Sequence, residues 1–279
     1  MRTPLVLAVA ILLAGCTQDR SPAPPATEST SSAVKDRAID RTAKAMSSED
    51  GVTVTIMEKP ESVRLRRYKR AQDEASAPSA KKAVRPEVAS TVDKLKSVGF
   101  PGLDAVDWSR FDEDYTPSPG ALLEHAGLGE WFDAETGTFP NRHDVLLAQL
   151  AGITGSALDG VAFEEIAPKD YEADEEPYQL RAYADGKRWA IEAQNLGDWF
   201  DVDAVLKLLN AVLRDRGSDW RLLMLETQDQ TAKVAAGPAS VLVAALREGL
   251  LESGDPDSAR TLGKEFEDAV RARLQGESR

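Results

Sequence analysis

Cysteine and histidine are scarce in this sequence, and that scarcity excludes several kinds of site. The 279 residues include one cysteine and two histidines. A single thiol cannot form a disulfide within the chain, and so few ligands disfavour the common zinc sites. Neither His125 nor His143 belongs to an HExxH motif, and no serine near them lies at a strand-to-helix turn. We therefore expect no metal and no cofactor.

Basic residues are too few to suit a nucleic-acid partner. The chain has 34 Lys and Arg against 47 Asp and Glu, a net charge of −13. Residues 1–89 hold 15 basic and 11 acidic residues, so 19 basic and 36 acidic residues fall within 90–279, a net −17. Phosphate binding requires a basic face, whereas an acidic domain suits a basic protein partner. The alternative is that the charge serves only solubility.

Apolar runs are also rare, and the one at the start of the chain is short. The chain begins MRTPLVLAVAILLAGC, in which Arg2 precedes ten apolar residues. Ten residues of helix rise about 15 Å, half of a bilayer core, so this run predicts no stable membrane span. A basic start, a short apolar core and the small residues Ala14 and Gly15 predict a secretory signal.

The stretch Leu13-Ala14-Gly15-Cys16 resembles the lipobox of bacterial lipoproteins. This resemblance implies cleavage before Cys16 and a diacylglyceryl group on its sulfur. It also implies an outer-membrane, periplasm-facing location, because Thr17 rather than Asp follows the cysteine. Acyl chains on Cys16 would then hold the protein on the membrane.

The composition divides the chain into four parts. Residues 17–50 are rich in Ser, Thr, Ala and Pro and contain no aromatic residue, which predicts a disordered tether. We expect a signal peptide over 1–15, the lipidated Cys16 with its tether over 16–50, a short strand pair with a basic linker over 51–86, and an acidic globular domain over 87–279.

The strand pair precedes the globular domain. Val52, Val54 and Ile56 alternate with polar neighbours, and a second alternation near Val63–Tyr68 predicts a partner strand, which suggests a hairpin. Five basic residues fall within Arg64–Arg70. Three roles fit that run: a solvated strand face, docking on the chain's own acidic domain, or contact with anionic lipid or cell-wall polymer.

Helical spacing and turn residues predict the elements of the domain. Short helices are expected near Val92–Val98, from Pro119, and after an N-cap at Asp144. From Tyr178 the expected order is hairpin, helix, hairpin, helix, helix. Asp185-Gly186 forms the first turn, and the last helix spans Asp257–Leu274. Asp201 caps the central helix, an apolar stripe from Val202 to Leu213 follows it, and Gly217 closes it. This β-β-α-β-β-α-α order predicts an α+β fold, an antiparallel sheet of about four strands with helices on one face, preceded by a mostly helical segment.

One eight-residue pattern occurs twice. LGEWFDAE at 128–135 and LGDWFDVD at 196–203 differ only by Glu/Asp and Ala/Val exchanges. The structural interpretation is that Gly makes a turn, Trp and Phe pack, and the acid caps a helix. The functional interpretation is a pair of acidic, aromatic surface loops that grip a ligand.

Together these patterns favour a lipid-anchored interaction protein without catalysis over an enzyme. One concrete form is an immunity-type inhibitor of an antibacterial effector. The alternatives are a carboxylate-based enzyme acting on cell-wall or glycan material, and a structural factor in envelope assembly. The expected binding residues are acidic, aromatic or polar loop residues: Trp131, Asp133, Asp198, Trp199, Asp201, Gln228, Asp229 and Gln230.

Overall fold

The computed structural model describes residues 45–47, 49–57, 66–67, 83–112, 114–169 and 176–277. Its strands are β1 Ala45–Ser47, β2 Thr53–Ile56, β3 Arg66–Arg67, β4 Gly129–Asp133, β5 Ala162–Ile166, β6 Tyr178–Ala184, β7 Lys187–Ala193, β8 Trp220–Leu225 and β9 Thr231–Pro238. Its helices are α1 Pro86–Ser97, α2 Pro119–His125, α3 His143–Gly152, α4 Val202–Asp215, α5 Ala239–Arg247 and α6 Ser258–Glu277. The α+β class is confirmed. The signal peptide, Cys16 and most of the tether and basic run lie outside the described residues.

The larger sheet is built around the hairpin of β6 and β7. Its strand order is β1-β2-β7-β6-β5-β3, and every neighbouring pair is antiparallel. Asp185 and Gly186 both have positive φ, 51° and 72°, as a two-residue type I′ turn requires. The predicted hairpin and its turn are confirmed.

The strand predicted around Val54 forms, but its predicted partner is wrong. β2 pairs with β1 and β7, with Val54 opposite Trp189, whereas β3 pairs with β5. A hairpin alone is marginal in water, and pairing with β7 buries Val54 beside the fully buried Trp189.

The smaller sheet has the order β4-β9-β8, also antiparallel. The predicted β8–β9 hairpin forms, so the four strands of the two hairpins divide between two sheets. β4 lies in a region for which the sequence predicts mostly short helices and turns. Alternate residues of β9 contact different cores, because Val234 belongs to the larger apolar cluster and Ala235 to the smaller one.

Helix α4 packs between the two sheets, against β6 and β7 of the larger and β8 of the smaller. Nine of its side chains are buried, as its apolar stripe predicts. The Asp201 carboxylate accepts the first-turn N–H of Ala204 at 2.9 Å, and Gly217 follows the helix with a φ of 72°. Both predicted helix ends are confirmed. The smaller cluster holds α1, α2 and α5 on the other side of the smaller sheet.

The start of α3 differs from the prediction. Asp144 was expected at the N-cap, but the helix begins at His143 and its N-cap is Arg142, with a φ of 66°. The Glu165 carboxylate of β5 accepts the His143 N–H at 2.5 Å and so replaces a local cap. Asp144 instead bonds the Arg142 guanidinium at 3.0 and 3.2 Å. Within the ranges given above, no helix combines the length and apolar character needed to cross a bilayer.

Candidate binding site

The two copies of the repeated pattern lie side by side. Segment 128–135 forms β4 and the residues after it, whereas segment 196–203 is an irregular loop that leads into α4. The Phe200 N–H donates to the Ala134 carbonyl at 2.9 Å, and Glu135 and Trp199 form a single antiparallel bridge. The rings of Phe132 and Phe200, which hold equivalent places in the pattern, meet edge to face at 6.2 Å.

The second copy is buried, which makes two predicted binding residues unavailable to a partner. Trp199 is 3 % exposed and Asp201 is 8 % exposed. Helix α6 covers the indole so closely that a Cβ on Gly263 would overlap Trp199 Cη2. The prediction that Trp199 and Asp201 form surface contacts is therefore wrong, because both belong to the interior.

The buried amide of Asn141 and the half-buried hydroxyl of Thr136 hold this loop in place. Asn141 Nδ2 donates to the carbonyls of Gly197 and Trp199 at 2.9 and 2.7 Å. Thr136 Oγ1 donates to the Asp198 carbonyl at 2.7 Å. These bonds satisfy loop carbonyls that would otherwise be desolvated without partners.

His143 completes the same support and is closed to solvent. Its Nδ1 lies 2.8 Å from Glu165 Oε2, and its Nε2 accepts the Asp201 N–H at 3.2 Å. Nε2 is therefore the acceptor in this arrangement, and Nδ1 faces the Glu165 carboxylate as the donor. The rings of Tyr178 and Phe200 lie 4.7 and 5.2 Å from it. Because no substrate can reach these atoms, the arrangement positions the loop rather than performing acid–base chemistry.

The first copy lies at the surface. Trp131 is half-buried on β4, with Lys233 Nζ 4.8 Å from its ring centroid and the exposed Tyr115 ring 6.1 Å away. Asp133, two residues further along β4, is exposed. Both of its carboxylate oxygens accept hydrogen bonds from Gln230 Nε2, at 3.1 and 3.0 Å.

Three further carboxylates interact with one another and with Asp133. Burial raises the pKa of Glu135, and the negative charges of Glu267, Asp198 and Asp133 raise it further. All the charged groups that shift this pKa are therefore acidic. We call Asp133, Glu135, Asp198 and Glu267 the acidic cluster. It draws carboxylates from β4, from the loop after it, from the loop before α4 and from α6.

The predicted polar turn borders this cluster. Gln228 and Asp229 are exposed, while Gln230 reaches Asp133. Burial alone would raise the pKa of Asp229, but hydrogen bonds from Thr231 and Thr227 and the charge of Lys233 lower it overall. The Asp229 carboxylate accepts the Thr231 N–H at 2.8 Å, so it shapes the turn.

Sequence patterns identified two members of the acidic cluster, Asp133 and Asp198, and missed the other two. Glu135 ends the repeated pattern and could have been included, but no local signal places Glu267 beside it. Across the part of the chain that the structure describes, no three His, Cys, Asp or Glu side chains are arranged to hold a metal ion. No family model, no curated protein and no solved structure matches the chain.

Proposed function

We propose that this protein is a lipid-anchored envelope protein whose acidic domain binds a basic protein partner without catalysis. Acylated Cys16 would hold it on the outer membrane, and the tether would let the domain search the periplasm. The acidic cluster would form the centre of the contact surface, with Trp131 at its margin.

The observation that supports this proposal is the crowding of like charges around Glu135. Burial raises the pKa of its carboxyl group first, and three neighbouring carboxylates raise it further because they repel its ionised form. A Lys or Arg side chain from a partner would relieve this repulsion on binding. The surrounding charge of residues 90–279, net −17, would also speed the encounter with a basic protein.

Trp131 fits the margin of such a surface. Side chains two residues apart on a strand point to the same face, so Trp131 and Asp133 face the same way. Trp131 and the exposed Tyr115 offer flat apolar area, and aromatic anchors of this kind supply much of the binding energy in protein interfaces. Carboxylates beside aromatic rings would select an Arg or Lys side chain over an acidic one.

One concrete form of this function is an immunity-type inhibitor that binds a basic antibacterial effector near the membrane. The physical reasons are the charge of the domain and the tether, which would keep the inhibitor where an incoming effector arrives. In this form, a cell that expresses the protein should survive the effector, and a cell without it should not.

The test is affinity capture from envelope extracts of the native host with the full chain, followed by an affinity measurement on the captured protein. The variant combines Glu135→Gln, Asp198→Asn and Glu267→Gln. The matched control combines Asp93→Asn, Asp159→Asn and Glu248→Gln, three exposed acids elsewhere that change the net charge equally.

We expect the captured protein to be basic. Its affinity should fall roughly tenfold to a hundredfold for the cluster variant and much less for the control variant. Its affinity for the unmodified chain should also fall as the salt concentration rises. Equal losses in the two variants would show that general charge, and not the acidic cluster, attracts the partner. Turnover of cell-wall material that a single Asp or Glu replacement abolishes would favour the enzyme alternative instead.

The anchor is tested separately, by mass spectrometry of the protein from its host. We expect an N-terminus at Cys16 that carries acyl chains. An intact N-terminal segment or a free Cys16 thiol would refute the lipoprotein part of the proposal and leave the binding part standing.

A further inference from the structure

Only the beginning of α6 packs on the rest of the domain. Ala259 is fully buried and Gly263 lies against Trp199, but every residue from Lys264 to Arg273 is exposed. At 1.5 Å per residue these ten residues extend about 15 Å into solvent.

The exposed part of α6 carries an apolar row. Leu262, Phe266 and Val270 follow one another at intervals of four, and Leu274 continues the spacing in the sequence. Leu262 is half-buried, Phe266 is 67 % exposed and Val270 is 42 % exposed. Phe266 is the most exposed large apolar side chain of the described residues. An apolar row that starts in the core and continues uncovered is typical of a helix that packs on another helix.

We infer that α6 is a self-association surface and pairs in antiparallel orientation with α6 of a second copy. Phe266 of each copy then packs against Val270 of the other. Such a contact is isologous, so a dimer closes the association and uses the same row twice.

The charges beside the row favour this partner. At 100° per residue, Glu267 and Arg271 lie on the same flank of the row. In an antiparallel pair a flank meets the same flank of its partner, so each Glu267 comes beside the Arg271 of the other copy. The present partner of Arg271 is Asp268, at 2.9 Å in an exposed pair. Exposed pairs of this kind contribute little, so Arg271 can turn to a new partner at small cost.

Electrostatics also selects the orientation. A parallel pair would place two strongly acidic domains at the same end of the helices. An antiparallel pair places them at opposite ends, separated by about 15 Å of helix, which exceeds the screening length of about 8 Å at physiological salt. The inference goes beyond the proposed function, because its main contacts are Phe266 and Val270, and it shares only Glu267 with the acidic cluster.

The first test is sedimentation velocity of the full chain carrying Cys16→Ser, which prevents acylation, over a range of concentrations. Because a single helix pair is a small interface, we expect a monomer–dimer equilibrium with a dissociation constant on the order of 10 µM. Phe266→Asp should weaken it at least about tenfold. Val243→Asp, at a 51 % exposed position on α5, is the control and should leave it unchanged.

The second test uses the lack of any other cysteine. In the Cys16→Ser chain, Ala269→Cys places a thiol beside the row and near the two-fold axis, whereas Lys264→Cys places it on the opposite face of α6. We expect oxidation to link two copies through residue 269 and not through residue 264.

Three results would overturn the inference. The first is a chain that stays monomeric at every concentration. The second is a dimer that Phe266→Asp does not weaken, or that links equally through both positions. The third is a monomer in which α6 is protected from hydrogen exchange, since this would mean that another segment of the same chain covers the row. Loss of the basic partner with an intact dimer would instead count against the proposed function alone.

Discussion

The two copies of the repeated pattern share Leu, Gly, Trp, Phe and Asp at equivalent places, yet they have different structures. Segment 128–135 supplies an edge strand whose Asp133 lies at the surface, and segment 196–203 is a loop whose Asp201 caps a helix inside the domain. Trp131 is half-buried beside Lys233, whereas Trp199 is enclosed under α6.

These eight residues therefore do not specify their own secondary structure. The first copy is a strand because β9 offers it a partner, with Asp133 opposite Thr231. The second copy is a loop because Asn141 and His143 bind its backbone groups. Four comparisons of equivalent positions test this account, beginning with the largest expected effect.

Replacing Trp131 and Trp199 by alanine should give the largest difference in unfolding free energy. Trp199→Ala should lower the free energy of unfolding by about 3–5 kcal/mol, because it leaves a cavity between α6 and the larger core. Trp131→Ala should cost about half as much or less, since part of this indole is already in water. Urea unfolding followed by far-UV circular dichroism measures both. Equal losses would mean that the two tryptophans contribute alike despite their different burial.

Replacing Gly129 or Gly197 by alanine should destabilise the fold for different reasons. A Cβ on Gly129 would lie 2.8 Å from the Glu124 backbone nitrogen, so Gly129→Ala should cost about 1–3 kcal/mol through overpacking. Gly197 has a φ of 73°, so Gly197→Ala should cost about 1–2 kcal/mol through backbone strain.

Asparagine distinguishes the two causes, because it tolerates the left-handed conformation better than alanine does. Gly197→Asn should be more stable than Gly197→Ala, whereas Gly129→Asn should be no better than Gly129→Ala. Thermal unfolding of the four variants measures this. A benefit from asparagine at both positions would contradict the steric explanation for Gly129.

The third comparison is between the equivalent residues Asp133 and Asp201. Asp201→Ala removes the acceptor of the Ala204 and Gln194 N–H groups, and should cost about 1–2 kcal/mol of unfolding free energy. Asp133→Ala should change it by no more than about 0.5 kcal/mol, because Asp133 is exposed. Asp201→Asn keeps one acceptor oxygen and should recover part of the loss. An Asp133 variant as unstable as the Asp201 variant would refute the assignment.

The smallest effect concerns the last residue of each copy and depends on pH. The pKa of Glu135 is raised in the folded protein, so the folded state holds its proton more tightly than the unfolded state does. Its ionised form therefore destabilises the fold, and this penalty grows as pH rises through the folded pKa. Glu135→Gln should raise the unfolding free energy at pH 7 by less than about 1 kcal/mol.

The equivalent Asp203 should show the opposite sign. Its carboxylate pairs with Lys207 at 2.5 Å, so Asp203→Asn should lower the unfolding free energy at pH 7 by about 0.3–0.5 kcal/mol. Denaturant unfolding from pH 4 to pH 8 measures both variants. The gain from Glu135→Gln should shrink as pH falls into the carboxyl range, and a gain that is constant with pH would exclude a charge effect.

Elements with strong local signals were predictable. The β6–β7 hairpin has the turn residues Asp185-Gly186, and α4 has an N-cap, an apolar stripe and a closing glycine. Residues close in sequence are therefore enough to specify both elements. β4 carries no comparable signal, since its five residues include Gly129 and Asp133, which rarely favour strands. Its conformation depends on hydrogen bonds to β9, about a hundred residues away in sequence.

The candidate site also has a part that the sequence could predict and a part that it could not. Asp133 and Asp198 could be proposed from their acidic, aromatic surroundings. Their meeting with Glu135 and Glu267 depends on how the loop before α4 and the start of α6 pack together. Burial of Trp199 could not be predicted either, because the residue that covers it, Gly263, belongs to the last helix.

Local sequence and composition sufficed to predict the strong turns, both ends of α4, the acidic excess and the α+β order of elements, since each depends on neighbouring residues or on composition. Only the tertiary fold makes one of two nearly identical octapeptides an edge strand and the other a buried loop, and brings four carboxylates from distant parts of the chain near enough to interact electrostatically. The physical reason is that backbone groups and apolar rings take the partners available to them in space, and those partners come from remote parts of the chain.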